Sequence, residues 1–242
     1  MSDKIRLDQA LVGRGLTHSR SQAESYIKLG DVKVNGRVIT KPGQMVGEAA
    51  VIQISTAEQY VSRAALKLAS VAEQLKLDFD NKVVLDVGSS TGGFTDYVLR
   101  HGAIKVIAVE VGTNQLHPSL HGNQKIELHE QTDIRDVEVL SSPADIVVAD
   151  VSFISLREIL PHVAKLITNK TQIAVMVKPQ FEAGHSNLKH KGVIKNDKMR
   201  RDILKDFESW ASKNFQIIDK ADSSISGAKG NQERFYLLRK TN

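Results

Sequence analysis

The feature that most limits what this chain can fold into lies from Lys82 onward, where short apolar runs alternate with helical or looped connections. The strand-length runs are 83–87, 106–111, 126–129, 146–150, 173–178, 217–222 and 234–238. Several are near-continuous Val, Ile, Leu and Ala, the pattern of strands covered on both faces. The spacing therefore predicts an α/β fold with a doubly wound, mostly parallel sheet. The last two runs are joined only by 223–233, too little chain for a crossover helix, so they are expected to pair antiparallel.

Residues 6–54 read as a separate small α+β unit. Leu7, Ala10 and Leu11 mark a short amphipathic helix ending near Gly13 or Gly15. Ser19 stands as the cap of a second helix, with Gln22 at capping-box spacing, an apolar stripe of Ala23, Tyr26, Ile27 and Leu29, and Gly30 as the stop. Asn35-Gly36 between Val34 and Val38 signals a hairpin, and Val51, Ile52 and Ile54 a further strand. Residues 57–61 form a joint. Ser62 then caps a helix through Ala65, Leu66, Ala69, Ala72 and Leu75. The division expected is 1–56, joint 57–61, and 62–242.

Charge is distributed unevenly. The net charge is +5, and residues 1–56 carry +3 of it, from eight Lys/Arg against five acids. Arg6, Arg14, Arg20, Lys28, Lys33 and Arg37 would let this unit neutralise phosphates with little base readout. On charge alone a solvated face is the commoner outcome. A second basic stretch, Lys189, Lys191, Lys195, Lys198, Arg200 and Arg201, follows Gly184 and could grip RNA or simply face solvent.

No cysteine is present, which excludes disulfides, thiolate metal sites and thiol nucleophiles. His117 and His121 lack a third ligand, so no metal is expected. No apolar run approaches membrane length, and the first residues show no signal-peptide core. A cytoplasmic protein is expected.

Asp86-Val87-Gly88-Ser89-Ser90-Thr91-Gly92-Gly93-Phe94-Thr95 joins a strand end, a glycine-rich turn and a helix start. It lacks the Lys of a phosphate loop, and Ser90 breaks the dinucleotide pattern, which disfavours a nicotinamide dehydrogenase. An acid at the strand end suits an amino-bearing ligand, and acid-x-Gly-x-small-x-Gly resembles the S-adenosylmethionine loop of methyltransferases. Asp86, Gly88, Ser89, Ser90, Gly92, Gly93 and Phe94 are candidate cofactor residues. Glu110 is placed to accept ribose hydroxyls. Asp133 either reaches an adenine amine or caps a helix. Phe94 and Phe153 read as core or cofactor-wall residues.

The N-terminal order Arg6-Leu7-Asp8-Gln9-Ala10-Leu11, Ser19-Arg20-Ser21-Gln22-Ala23, Gly30-Asp31-Val32-Lys33-Val34-Asn35-Gly36 resembles the alpha-L RNA-binding motif of a ribosomal small-subunit protein. Farther on, Tyr60-Val61-Ser62-Arg63-Ala64-Ala65-Leu66-Lys67-Leu68, Asp150-Val151-Ser152-Phe153-Ile154-Ser155-Leu156, Val177-Lys178-Pro179-Gln180-Phe181-Glu182 and Gly230-Asn231-Gln232-Glu233 resemble the TlyA family of ribosomal RNA methyltransferases, whose catalytic domain is FtsJ-like. The resemblance covers nearly the whole chain. It implies a seven-stranded class I methyltransferase sheet, S-adenosylmethionine as cofactor, ribosomal RNA within ribosomal subunits as partner, and 2′-O-methylation of cytidine. It also implies a Lys–Asp–Lys–Glu tetrad at Lys67, Asp150, Lys178 and Glu233. The chain departs from the family at Thr113-Asn114 and Pro118, where a Tyr-Gly pair and an aromatic are expected. The motifs of pyrimidine C5 and exocyclic-amine methylation are absent. Two other classes are an RNA-binding scaffold with an inactive methyltransferase domain, and a membrane-active protein, since this family has carried a haemolysin label.

Overall fold

The computed structural model describes residues 4–17, 20–54, 60–184, 192–194, 196–227 and 230–241, with backbone alone at Ser21, Ser25 and Leu29. The expected cap Ser19, the stripe residue Leu29, joint residues 57–59 and Lys189, Lys191 and Lys195 therefore lie wholly or in part outside the described residues.

The first elements are β1 (Lys4–Arg6), α1 (Leu7–Gly13), α2 (Arg20–Leu29), β2 (Val32–Val34), β3 (Arg37–Val38), β4 (Met45–Gly47) and β5 (Ile52–Ile54). Asn35 and Gly36 both take positive φ, 50° and 79°, as a two-residue primed turn requires. β2 pairs antiparallel with β3 and β5. β1 pairs with β4, a two-stranded ribbon the sequence pattern does not reveal. Leu7, Leu11, Tyr26, Ile27 and Val32 form the core of this unit, and Leu66 and Ile225 join the same cluster from the rest of the chain.

Next come α3 (Arg63–Ala72), β6 (Val83–Val87), α4 (Gly93–Arg100), β7 (Lys105–Val109), β8 (Ile126–His129), β9 (Ile146–Ala149), α5 (Leu156–Leu166), β10 (Gln172–Val177), α6 (Pro179–Glu182), α7 (Asp197–Ala211), β11 (Phe215–Asp222) and β12 (Arg234–Lys240). They build a seven-stranded sheet in the order β11-β12-β10-β9-β6-β7-β8. β12 runs antiparallel to both its neighbours, and the other pairings are parallel. Three strands stop short of the sequence expectation: β7 at Val109, β9 at Ala149 and β10 at Val177. Glu110, Asp150 and Lys178 are thus the first residues beyond the strands, where charge can leave the packed layers. β11 begins earlier than expected, at Phe215, and an irregularity between Ile217 and Asp219 breaks the alternation that would have marked it.

Alternation along β6 divides the core. Leu85 and Val87 face the layer of α5 and α7, against Leu160, Val163 and Phe207. Val84 faces α3 and α4, against Leu68, Val71, Phe94 and Val98. By the period of two, Asp86 lies on the face of Val84, toward α3 and α4. The strand order reverses at β6, whose neighbours are β7 on one side and β9 on the other, and crevices open at such a point. Among the described residues no helix is long and apolar enough to cross a membrane.

α3 and α4 meet at their N-termini. Ser62 caps α3, its Oγ accepting from the Ala64 N–H at 3.3 Å. A Cβ on Gly93 would lie 2.2 Å from that Oγ and 2.7 Å from Ala64 Cβ. Glycine at 93 therefore allows the two helices to approach. Gly93→Ala is expected to lower stability by about 1–3 kcal/mol through overpacking, read as a shifted urea midpoint with an unchanged slope.

Candidate active site

At the C-terminal ends of β6, β7 and β9 lies a cavity of about 530 Å³ lined by Gly88, Ser90, Glu110, Asp133, Asp150 and Phe153, among others. A smaller one of about 80 Å³ adjoins it, sharing Gly88, Ser90 and Asp150 and adding Asp86, Ser89, Gly93 and Phe94. Of the sequence-predicted turn residues, Asp86, Gly88, Ser89, Ser90, Gly93 and Phe94 line these adjoining cavities, whereas Gly92 faces Leu116 and Leu120 instead.

The turn after β6 is held open by backbone conformation. Gly88, Ser90 and Gly92 have φ of 78°, 46° and 84°. A Cβ on Gly88 would come within 3.0 Å of the Asp150 carbonyl, so a side chain there is excluded both by conformation and by space. Glu110 stabilises the turn from β7: its carboxylate accepts from the Ser90 N–H at 2.8 Å and the Gly112 N–H at 2.7 Å. Asp86 is fully buried. One carboxylate oxygen accepts from the Thr95 hydroxyl at 2.6 Å, and the other has no hydrogen-bond partner. Burial pushes this carboxyl up to about 7, with Asp150 and Glu110 nearby adding to the rise and the Thr95 bond opposing it.

Asp133 caps the 3-10 turn 134–136 by accepting from the Arg135 N–H at 2.9 Å, and the Arg135 guanidinium pairs with it. Of the two sequence readings the capping one is observed, and the residue also lines the cavity. Phe94 is core, packed near Phe235 at 6.0 Å between ring centres. Phe153 is not core: it is 91% exposed at the cavity, with φ of 65°, its ring 5.2 Å from that of Phe181. An aromatic inside an apolar-looking stretch reads as buried, and the backbone turn that ejects it leaves no trace in composition.

The loop after Gly112 is closed by its own contacts. Glu130 accepts from the Asn114 and Gln115 N–H groups, and Ser90 Oγ donates to Gln115 Oε1 at 3.1 Å. Leu116 and Leu120 stand against Gly92.

The four tetrad candidates come from different elements. Lys178 follows β10, and its Nζ lies 2.5 Å from Asp150 Oδ1 beyond β9. Lys67, on the buried face of α3, lies 2.5 Å from Glu233 Oε2. Register brings the pairs together: Val177 opposes Arg234 across β10 and β12, so Lys178 and Glu233 leave adjacent strands side by side. All four side chains are largely buried, between 3% and 16% exposed, so neither lysine could stay there without its acid. Lys178 also donates to Ser152 Oγ at 2.7 Å, a residue the sequence reading did not single out. Among the described residues no cluster of His, Asp or Glu is arranged to hold a metal ion.

The N-terminal basic residues are not equivalent. Arg6 and Arg20 both pair with the buried carboxylate of Asp8, at 2.9 and 2.8 Å. Arg14 is tied to the carbonyls of Ala50 and Glu48 at the β4–β5 turn, so its donors serve the fold. Lys28 and Arg37 are exposed and Lys33 is half-buried. In the second stretch Arg200 is bound to Asp222 and to the Gln232 carbonyl.

Comparison with known proteins agrees with this anatomy. A family model described as FtsJ-like methyltransferase matches residues 60–240, and one described as S4 domain matches residues 5–52. A protein named 16S/23S rRNA (cytidine-2′-O)-methyltransferase TlyA, from Mycobacterium tuberculosis, is 34% identical over 99% of this chain and 91% of its own length. One named 23S rRNA (cytidine-2′-O)-methyltransferase TlyA, from Campylobacter jejuni, is 44% identical over 76% of this chain and 72% of its own. A solved structure of a protein named as a hemolysin, from Streptococcus thermophilus, superimposes with a TM-score of 0.72 at 34% identity, covering 100% of this chain and 90% of the other. With a glycine turn, a reversed strand order and an antiparallel β12 carrying Glu233 already in place, the chain belongs to the FtsJ-like methyltransferase family and, within it, to the TlyA-like proteins with an S4 domain.

Proposed function

We propose that this protein methylates the 2′-oxygen of cytidine in ribosomal RNA, acting in the cytoplasm on ribosomal subunits. Its relatives carry that activity in their names. The observation that carries the reading is the pair of buried lysine–carboxylate contacts, Lys178–Asp150 and Lys67–Glu233, with Lys178 and Glu233 leaving adjacent strands and Asp150 lining the cavity. In this reading residues 1–56 dock on RNA, 57–61 form the joint, and 62–242 carry the chemistry.

Methyltransferases of this family use S-adenosylmethionine, which supplies a methyl group on a positively charged sulfur. The residues present fit it. Asp86 offers an unpartnered carboxylate oxygen beside the smaller cavity, suited to an ammonium group. Gly88, Ser89, Ser90, Gly92 and Gly93 allow close approach to backbone, and Phe94 backs the turn. Glu110 keeps acceptor capacity for ribose hydroxyls beyond its two backbone bonds, and Asp133, which lines the same cavity while paired with Arg135, would accept from an adenine amine.

A ribose hydroxyl is a very weak acid, so it must lose its proton as the new bond forms. Lys178 would take that proton as the general base, and S-adenosylmethionine, when bound, would supply the methyl group to the substrate oxygen. Asp150 holds Lys178 in place. Lys67, fixed by Glu233, supplies positive charge toward the developing alkoxide. Phe153, exposed beside the site, gives the target base a face to stack on. On the N-terminal unit Arg6, Arg20, Lys28, Lys33 and Arg37 meet phosphates, with Arg14 contributing charge alone.

Incubation with labelled S-adenosylmethionine and unmodified ribosomal subunits, followed by alkaline hydrolysis, is expected to leave label in alkali-resistant dinucleotides. Label in mononucleotides would move the chemistry to a base, and no label would favour the inactive scaffold. Lys178→Ala is expected to cut the rate by at least about 100-fold without loss of cofactor binding. The buried Asp86 gives a pH signature. In the unfolded chain it titrates near 3.8, and in the fold near 7, so the folded state binds the extra proton between those values. Stability from this group is therefore lost as pH rises toward 7. The melting temperature of Asp86→Asn minus that of the native protein should grow from pH 5.5 to pH 8.5. Cofactor affinity of the native protein should weaken below about pH 7, and that dependence should vanish in the variant.

A further inference from the structure

Lys178 Nζ has two close polar neighbours of different kinds: Asp150 Oδ1 at 2.5 Å, paired with it by charge without hydrogen-bond geometry, and Ser152 Oγ at 2.7 Å, which accepts a hydrogen bond from it. A neutral amine has two N–H bonds and one lone pair. A base that may rotate about its Cε–Nζ bond presents that lone pair in any direction. One whose N–H is held by a fixed acceptor presents it over a much narrower range. Asp150 holds the head group by charge, and Ser152 is the acceptor that fixes an N–H.

The segment that carries Ser152 is held with unusual care. Phe153 adopts φ of 65°, a conformation that bulky side chains avoid, immediately after Ser152. Such a residue keeps that conformation only when its surroundings over-determine it. Here the fixing group is Glu182, 1% exposed, which accepts from Ser155 Oγ at 2.6 Å and from the Leu156 N–H at 2.8 Å. Glu182 stands at the end of α6, the helix that begins directly after Lys178. The chain is therefore pinned at both sides of Ser152 to the same element that carries the lysine. Ser152 itself is exposed and lines the larger cavity, so it needs no such anchoring for stability.

We infer that Ser152 is a positioning residue for methyl transfer: its hydroxyl oxygen holds one N–H of Lys178 and so aims the amine lone pair at the substrate hydroxyl when Lys178 acts as base. The inference rests on the proposed role of Lys178. No group is consumed in it. The proton taken from the substrate oxygen resides on Nζ after the transfer and is released to water, and Ser152, with its own hydroxyl hydrogen turned to the cavity, is the bonded neighbour of Nζ that solvent reaches.

The test compares single-turnover methylation of ribosomal subunits at saturating S-adenosylmethionine by the full chain and by Ser152→Ala, Ser152→Thr and Lys178→Ala, with cofactor and RNA affinities measured separately. Ser152→Ala is expected to slow the transfer step about tenfold or more, to leave both affinities and the melting temperature within about twofold and about 1 °C of native, and to be rescued by Ser152→Thr, which returns a hydroxyl at the same place. Native-rate transfer by Ser152→Ala, with Lys178→Ala inactive, would overturn the inference and leave the tetrad intact. So would a rate loss in Ser152→Ala matched by an equal loss of RNA or cofactor affinity, because that would make the serine a binding contact. Full activity of Lys178→Ala would instead remove the reading beneath it.

Discussion

Two lysines in this protein are held almost out of water, and each is tolerable there only because a carboxylate reaches it. The rest of the architecture can be read as the means of delivering those four groups. A free buried ammonium would cost several kcal/mol, and a free buried carboxylate as much. The fold meets that constraint with two local pairs, each drawn from two different elements. Lys178 and Asp150 follow neighbouring parallel strands, so their separation is set by sheet geometry. Lys67 and Glu233 depend on a helix and an antiparallel strand, and so on the contact between α3 and α4 that a glycine permits.

Much of this was legible in the sequence because it is local. The runs at 83–87 and 126–129 matched their strands, since apolar continuity and a following turn are sufficient signals there. Asn35-Gly36 gave its turn for the same reason. β1 and β4 were not legible: each is three residues long, carries no continuous apolar run, and is stabilised by a partner some forty positions away. Site residues divide along the same line. Asp86, Asp150 and Lys178 stand at ends of apolar strands, and that position alone marks them. Ser152 and Phe153 do not, because their placement depends on a backbone turn and on an anchor, Glu182, that only tertiary structure supplies.

Charge told a similar story. Six basic residues in the first quarter of the chain read alike in sequence, yet the structure separates them. Arg14 serves the β4–β5 turn, Arg6 and Arg20 share one buried acid, and Lys28 and Arg37 project freely. Asp8 holds two guanidiniums at one place, and a fixed pair of guanidiniums can meet a phosphate with less loss of side-chain freedom than two independent ones. The cofactor turn shows the reverse case. After Gly112 the chain reads Thr113-Asn114, and Glu130 with Leu116 and Leu120 closes that side of the turn.

The insertion of β12 between β10 and β11 has a consequence for how the molecule is made. β11 precedes β12 in the chain, yet it has no partner in the sheet until β12 arrives. During synthesis β10 and β11 would each present an open edge, of the kind that invites pairing with other chains. The same late strand is what Glu233 rides on. An incompletely emerged chain would thus hold a formed cofactor turn and a lysine on α3 with no acid to neutralise it. Closure of the sheet and the arrival of Glu233 beside Lys67 are therefore a single event.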